Sequence, residues 1–83
     1  MLKTLNIDSQ IYFMVMLMYK RIRDLREDKD LSQKQMSEVL NVSQATYSRY
    51  ESGYLDIPSE VLIKLSRFYG VSVDYILGLD HNG

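Results

Sequence analysis

The sequence lacks the residues on which many functional sites depend. None of its 83 residues is cysteine, and it has a single histidine, His81, close to its C-terminal end. Disulfides and thiolate metal sites are therefore excluded, and a zinc site or a histidine-based nucleophile system is hard to assemble. The carboxylates are scattered among basic residues, with no isolated pair in apolar surroundings. We therefore do not expect an enzyme, and we expect no metal and no cofactor.

An excess of either charge is also missing, since the formal net charge is -1 at pH 7. A near-neutral chain is not typical of proteins that bind nucleic acid. The charges are unevenly distributed, however: residues 18–31 hold five basic and four acidic side chains, and residues 54–83 hold two basic and four acidic ones. The middle of the chain is therefore expected to present a locally positive face. The absence of cysteine fits a cytoplasmic protein, which is the location that we predict.

The longest apolar run, IYFMVMLMY at residues 11–19, is too short to span a membrane, which takes about 20 residues. It also lacks the pattern of a clear secretory signal, and no membrane association is expected. The run is compatible with a buried strand or the buried start of a helix. The run would either pack in the core of its own domain or form an arm that contacts a second copy. We favour an arm or strand contact, because so small a domain has too small a core to bury the whole run. Translation from Met14, Met16 or Met18 is a third interpretation. We assign residues 1–17 to an N-terminal extension that is an arm, a strand or an extension of a helix.

Helical patterns begin at Met18 and continue to residue 79. Ser32, with Gln35 three residues later, forms a capping-box pattern, and Ser43 and Ser72 are further N-caps. Helix ends are predicted at Asn41, Gly53, Gly70 and Gly78, and Pro58 suits the first turn of the fourth helix. Apolar stripes at helical spacing comprise Met18, Ile22 and Leu25, then Met36, Val39 and Leu40, then Val61, Leu62, Leu65, Phe68 and Tyr69. The sequence thus predicts an all-α domain of five helices over residues 18–79 and a short tail at residues 80–83.

Residues 33–52, QKQMSEVLNVSQATYSRYES, form the most informative unit. Two helices of about nine residues are joined by a turn at Asn41 and Val42. A turn this short makes the helices cross steeply, which requires a small residue where they approach. Ser37 supplies that residue. The side chains predicted to pack inward are Met36, Val42, Tyr47 and Tyr50.

This unit resembles the helix-turn-helix of the Xre/Cro family, the lambda-repressor-like DNA-binding domains. The resemblance runs from about Tyr19 to Leu79 and includes the LSQ entry, the closing E-x-G and the final YGVSVDYILGL. It implies a five-helix lambda-repressor-like fold, to which the apolar N-terminal segment is an addition. Ser37 and Asn41 stand where the family usually has Ala and Gly. Tyr47 and Tyr50 replace an aliphatic residue and, often, a tryptophan, which implies a roomier or partly wet core with partners for the hydroxyls.

The third helix carries the candidate base contacts. In a helix-turn-helix the second helix of the unit enters the major groove. Gln44, Ala45, Ser48 and Arg49 share one stripe, where Gln44 suits adenine, Arg49 suits guanine and the methyl of Ala45 suits thymine. The candidate contacts with the DNA backbone are Gln33, Lys34, Ser43 and Tyr54. The resemblance assigns Gln33 to the sugar-phosphate. Tyr54 is equally compatible with a packed loop residue. The resemblance also implies a structural salt bridge between Arg26 and Glu51.

The sequence therefore predicts a sequence-specific regulator of transcription that binds double-stranded DNA as a homodimer, with helix 43–52 in the major groove, and that acts as a repressor. Two half-sites are needed because one domain contacts only a few base pairs. The candidate dimer surfaces are the N-terminal run and the final helix with Val73, Tyr75, Ile76, Leu77 and Leu79. The alternative is an antitoxin or protein-interaction module of the same fold, whose main partner is another protein.

Overall fold

The computed structural model describes residues 7–79. Within them the chain forms five α-helices and no strand: α1 (Ile7–Asp28), α2 (Gln33–Leu40), α3 (Gln44–Ser52), α4 (Ser59–Tyr69) and α5 (Val73–Leu77). The predicted all-α class and the five helices from Met18 onwards are therefore confirmed. The tail at residues 80–83, with His81, and residues 1–6 of the extension lie outside the described residues.

Helix α1 includes the whole of the apolar N-terminal run at residues 11–19. It begins at Ile7 and continues without interruption through the predicted start at Met18 to Asp28. A strand over residues 11–19 is therefore wrong, and the described part of the extension is an extension of a helix. The physical reason is register, because Val15 continues the stripe of Met18 and Ile22 by one helical turn and packs against the same core.

The predicted caps determine where α2 and α3 begin and end. The Ser32 hydroxyl accepts a hydrogen bond from the Gln35 backbone at 3.0 Å, and the Gln35 side chain accepts one from the Ser32 backbone at 2.8 Å. Asn41 ends α2 in the left-handed conformation with φ of 59°. Ser43 caps α3 through the Thr46 backbone N–H. Ser72 similarly caps α5, whereas Pro58 is the N-cap residue of α4 rather than part of its first turn.

The core lies where α1 passes α3 and α5. Its fully buried side chains come from all five helices and are Ile22, Met36, Leu40, Tyr47, Leu65 and Ile76. Two members of the predicted stripes, Val39 and Phe68, are exposed instead, each at 41%. Met36, Ser37 and Leu40 define the buried side of α2, and Val39 projects about 110° away from the middle of that side. Phe68 lies at the border of the buried side of α4, with its ring centroid 5.1 Å from that of Tyr69.

Candidate nucleic-acid interface

The junction between α2 and α3 is built around a small buried residue. Ser37 is 3% exposed, and its hydroxyl donates to the Lys34 carbonyl at 2.7 Å, so its polar atom is satisfied within its own helix. The Val42 backbone N–H donates to the Ser37 carbonyl at 2.9 Å and closes the turn. Because Ser37 occupies little volume, α3 packs directly against α2. The turn predicted from the sequence is thus present.

The inner side of α3 is aromatic and anchors the helix. Tyr47 and Tyr50 are buried, as predicted, with ring centroids 6.5 Å apart in an edge-to-face arrangement. This geometry is favourable for aromatic pairs. With both rings fixed in the core, the opposite side of α3 must face away from the protein.

The outer side of α3 presents the predicted base-contacting residues. Gln44, Ala45 and Arg49 are exposed, and Ser48 is half-buried. Within residues 7–79 neither the Gln44 side chain nor the Arg49 side chain has a hydrogen-bond or ion-pair partner. The structure therefore brings these residues together on one open surface, where both polar groups are available to a ligand.

An ion pair joins α1 to the end of α3, at the residues that the family resemblance implied. Arg26 Nε lies 2.6 Å from Glu51 Oε2, and Arg26 Nη2 lies 3.1 Å from Glu51 Oε1. The side chains are only 13% and 5% exposed, so this is not a surface pair. A third Arg26 nitrogen, Nη1, donates to the Leu31 carbonyl at 2.9 Å. Through these bonds Arg26 holds both the segment that leads into α2 and the end of α3 against α1.

Further hydrogen bonds to Glu51 were not anticipated from the sequence. The Tyr47 hydroxyl donates to Glu51 Oε2 at 2.5 Å, and the Gln33 amide donates to Glu51 Oε1 at 3.1 Å. Burial alone raises the pKa of Glu51, but the hydrogen bonds from Arg26, Tyr47 and Gln33 outweigh it and hold that pKa below its ordinary value. The spacing of four between Tyr47 and Glu51 was a usable signal for their contact. The bond from Gln33 had no such signal.

The residues predicted to contact the DNA backbone differ in whether their polar groups are already hydrogen-bonded within the protein. The Gln33 amide is partly engaged by Glu51, which leaves its carbonyl oxygen and second N–H. The Ser43 hydroxyl accepts from the Thr46 backbone N–H and donates to Thr46 Oγ1, so it is used inside the protein. Lys34 is exposed and lies 3.5 Å from Glu38. Tyr54 is 78% exposed, which excludes the packed-loop interpretation of its side chain.

Two negative findings concern the part of the chain that the structure covers. None of its helices is both long enough and apolar enough to cross a membrane. No group of three or more histidine, cysteine, aspartate or glutamate side chains among residues 7–79 is arranged to hold a metal ion.

Comparison with known proteins assigns the family. The model of the helix-turn-helix family matches residues 22–76, and the chain belongs to this family. The resemblance to the Xre/Cro group is thereby confirmed. Relatives in this family are DNA-binding regulators of transcription and not enzymes.

Individual relatives agree with this assignment. The chain is 41% identical to the transcriptional regulator ImmR of Bacillus subtilis over 61 residues, which is 74% of this chain and 48% of ImmR. It is 40% identical over 53 residues to RstR, a cryptic phage CTXphi transcriptional repressor of Vibrio cholerae, covering 64% of this chain and 48% of RstR. The chain thus spans about half the length of the curated relatives that it matches.

Among solved structures, the chain is similar to the P22 c2 repressor protein in complex with a synthetic operator. The TM-score is 0.70 at 31% sequence identity, and the match covers 77% of this chain and 97% of that one. The lambda-repressor-like fold predicted from the sequence is therefore confirmed.

Proposed function

We propose that this protein regulates transcription by binding double-stranded DNA sequence-specifically, with α3 in the major groove. The observation that carries the proposal is the outward, unpartnered position of Gln44 and Arg49 on a helix whose other side is buried in the core. Gln44 suits a bidentate contact with adenine and Arg49 one with guanine. The exposed methyl group of Ala45 suits contact with a thymine methyl group, and the hydroxyl of the half-buried Ser48 suits a hydrogen bond with a base edge.

The phosphate contacts in this proposal use few charges. The positive end of α2 and the remaining donor of the Gln33 amide suit one phosphate. The exposed Tyr54 hydroxyl and Lys34 suit others. The Ser43 hydroxyl is already hydrogen-bonded to Thr46. Ser43 therefore offers a DNA phosphate its backbone N–H at the start of α3. Because Glu51 is held by Arg26 and Tyr47, the Gln33 side chain is also oriented before DNA arrives.

The test is to select bound sequences from random DNA with the purified protein and then measure affinity for the selected duplex by fluorescence anisotropy. Replacing Gln44 and Arg49 by alanine together removes two bidentate contacts, each contributing about 1–3 kcal/mol to base discrimination. We therefore expect at least about a thirtyfold loss of affinity for the selected sequence and little change for random DNA.

The matched control is Lys64→Ala with Arg67→Ala, two charged positions on α4 that are exposed and not part of the α2–α3 unit. These changes should leave affinity for the selected duplex nearly unchanged. Unaltered binding by the double mutant of α3, or no enrichment of any sequence in the selection, would contradict the proposed function.

Two copies acting on paired half-sites are part of the proposal. On α5, Ile76 is fully buried, and Arg21 Cζ lies 4.2 Å from the centroid of the Tyr75 ring. The final helix is thus largely engaged inside the domain. On α1, by contrast, Tyr12 and Phe13 remain about two-thirds exposed. This contrast favours α1 over α5 as the dimer surface.

Repression is the expected direction of regulation, which the similarity to two repressors, RstR and the P22 c2 repressor, supports. A promoter carrying the selected sequence upstream of a reporter gene tests it, since a repressor lowers expression and an activator raises it. A cytoplasmic location follows from a DNA partner and remains a prediction. An antitoxin-like role with a protein partner is distinguished by co-purification of a second polypeptide.

A further inference from the structure

We propose that two copies of this chain pair in antiparallel orientation through the exposed stripe of α1, with a two-fold axis close to Met16. By the exposed stripe we mean the α1 side chains that point away from the core, namely Ser9, Tyr12, Phe13, Met16, Lys20 and Arg23. The inference rests on the proposed function only for its use in pairing DNA half-sites. The pairing itself is tested without DNA.

The stripe is unusually apolar for the solvent side of a helix. Tyr12 is 67% exposed, Phe13 64% and Met16 50%. The other side of α1 is apolar too, because Met18 and Ile22 are buried and α5 packs against it. Over residues 11–19 every side chain of α1 is apolar, and a helical segment that is apolar on all sides is typical of one that is buried on all sides. Helix α5 lies across the core side of α1 and therefore cannot cover the stripe.

A groove adjoins the stripe where α1 passes the C-terminal end of α3. Its volume is about 620 Å³. Tyr12, Phe13 and Met16 line one end of the groove, Tyr19, Lys20 and Arg23 line the other, and Glu51 and Ser52 form its α3 wall. Projecting aromatic rings and the groove that could receive them thus belong to one surface, which is the requirement for a two-fold interface between identical copies.

The arrangement of side chains along the stripe favours a second copy in antiparallel orientation. Tyr12 and Lys20 are equally distant from Met16 along the helix, and so are Phe13 and Tyr19. Antiparallel pairing about Met16 therefore brings each Tyr12 ring to the second copy's Lys20 and each Phe13 ring to the second copy's Tyr19. Cation–π and edge-to-face contacts favour these pairs. A parallel pair would instead place Lys20 against Lys20 and Arg23 against Arg23.

The ends of the stripe are complementary in charge as well. The same antiparallel register places Ser9 opposite the second copy's Arg23, which brings the exposed Asp8 close to that guanidinium. Lys20 is already paired with Asp24 at 2.6 Å, so it approaches the Tyr12 ring as a partly neutralised cation. Arg23 has no ion-pair partner among the described residues and is the cation available to Asp8.

The available area is sufficient for a weak dimer. An aromatic side chain offers about 150–250 Å², so the two rings, about two-thirds exposed, contribute roughly 200–300 Å² per copy. Met16 and the aliphatic stems of Lys20 and Arg23 add to this. Over two copies the total reaches roughly 1,000 Å², near the lower limit for a specific interface.

Cysteine cross-linking tests both the pairing and its direction, since the full chain provides a cysteine-free background. A disulfide requires Cα atoms within about 7 Å. In Met16→Cys the new thiols face each other across the two-fold axis, and effective concentrations near the millimolar range should make oxidation at least about tenfold faster than in a collision-limited control. Phe68→Cys, at an exposed position on α4, is that control.

Direction is tested with two further positions. Tyr12→Cys and Lys20→Cys should each form covalent dimers no faster than the control, whereas the double variant should form them readily. Rapid cross-linking of Tyr12→Cys alone would indicate a parallel pair and overturn the antiparallel arrangement. Met16→Cys that cross-links no faster than Phe68→Cys would overturn the whole inference, as would a monomeric mass by light scattering up to roughly 1 mM wild-type protein.

The two proposals fail in different ways. If α3 does not bind DNA, no sequence is selected although Met16→Cys still cross-links. If α1 does not pair, single half-sites are still bound but Met16→Cys remains monomeric. Unchanged far-ultraviolet circular dichroism shows that each cysteine variant is folded.

Discussion

At the scale of single residues, two tyrosine hydroxyls in the core have opposite surroundings. The Tyr47 hydroxyl donates to Glu51 Oε2 at 2.5 Å, whereas the Tyr69 hydroxyl is buried and has no hydrogen-bond partner among the described residues. Burial is the main cause of the raised pKa of both side chains, and it brings the pKa of Tyr69 to about 12. The expectation that the hydroxyl of Tyr47 needs a partner is therefore confirmed, whereas the unsatisfied hydroxyl of Tyr69 was not anticipated from the sequence.

This contrast gives a matched pair of substitutions. Tyr47→Phe removes a hydrogen bond to a carboxylate and should lower the free energy of unfolding by about 1.5–3 kcal/mol. Tyr69→Phe removes only an unsatisfied buried hydroxyl and should leave stability unchanged or raise it. Urea denaturation followed by circular dichroism measures both. Equal losses in the two variants would show that the Tyr47 hydroxyl bond does not stabilise the fold.

At the scale of helices, the ends are set by residues in the left-handed conformation, but the surroundings of these residues differ. Gly53, with φ of 82°, ends α3 where Tyr19 of α1 passes it, and a Cβ atom there would lie 2.5 Å from the Tyr19 ring. Gly70, with φ of 70°, ends α4 in open space with no atom within 4 Å of such a Cβ. Gly53 is therefore required by packing as well as by backbone conformation.

Alanine substitution separates these two requirements. Gly70→Ala should cost about 1–2 kcal/mol from left-handed strain alone. Gly53→Ala should cost a further 1–3 kcal/mol, roughly, because the half-buried Tyr19 ring must move. Thermal unfolding of both variants measures the difference. Similar losses of stability in the two variants would mean that the Tyr19 ring moves aside at little cost and that the contact between α1 and the end of α3 does not restrict residue 53.

At the scale of the whole molecule, the charges of the α2–α3 unit are mostly compensated internally. Glu51 is paired with Arg26 and Lys34 lies near Glu38, so Arg49 is the cation of residues 33–54 that lacks an ion-pair partner. In the proposed function, this accounts for a surface that binds DNA in a chain of net charge -1. Neutral donors and helix N-termini would then supply much of the contact with the DNA backbone.

The salt dependence of DNA binding follows from this balance. With Lys34 as the cation assigned to the DNA backbone and Arg49 assigned to a base, a dimer neutralises about two phosphates, and the slope of log K against log salt should be close to −2. Anisotropy titrations of the selected duplex over a range of salt concentrations measure this slope. Lys34→Ala should make it shallower by about two in a dimer, whereas Lys64→Ala should not alter it. A slope of about −8 or steeper would indicate cationic contacts outside the α2–α3 unit.

Much of the fold was predictable from the sequence because its signals are local. Ser32, Ser43 and Ser72 cap helices through bonds to residues three positions away, and Asn41 and Gly53 adopt positive φ for reasons that lie in their own backbone. The open stripe with Gln44 and Arg49 follows from helical spacing once Tyr47 and Tyr50 are assigned to the core. Their contacts with DNA remain predictions.

By itself, then, the sequence determined the helices from Met18 onwards, their ends and the side of α3 that faces outward, since each depends on residues within about one helical turn. Only the tertiary structure decided that residues 7–17 continue α1, that Val39 and Phe68 are exposed and that Gln33 donates to Glu51 across 18 positions of sequence. These outcomes depend on how whole helices pack, because distant residues meet only after the helices have docked and no local pattern encodes the distance between them.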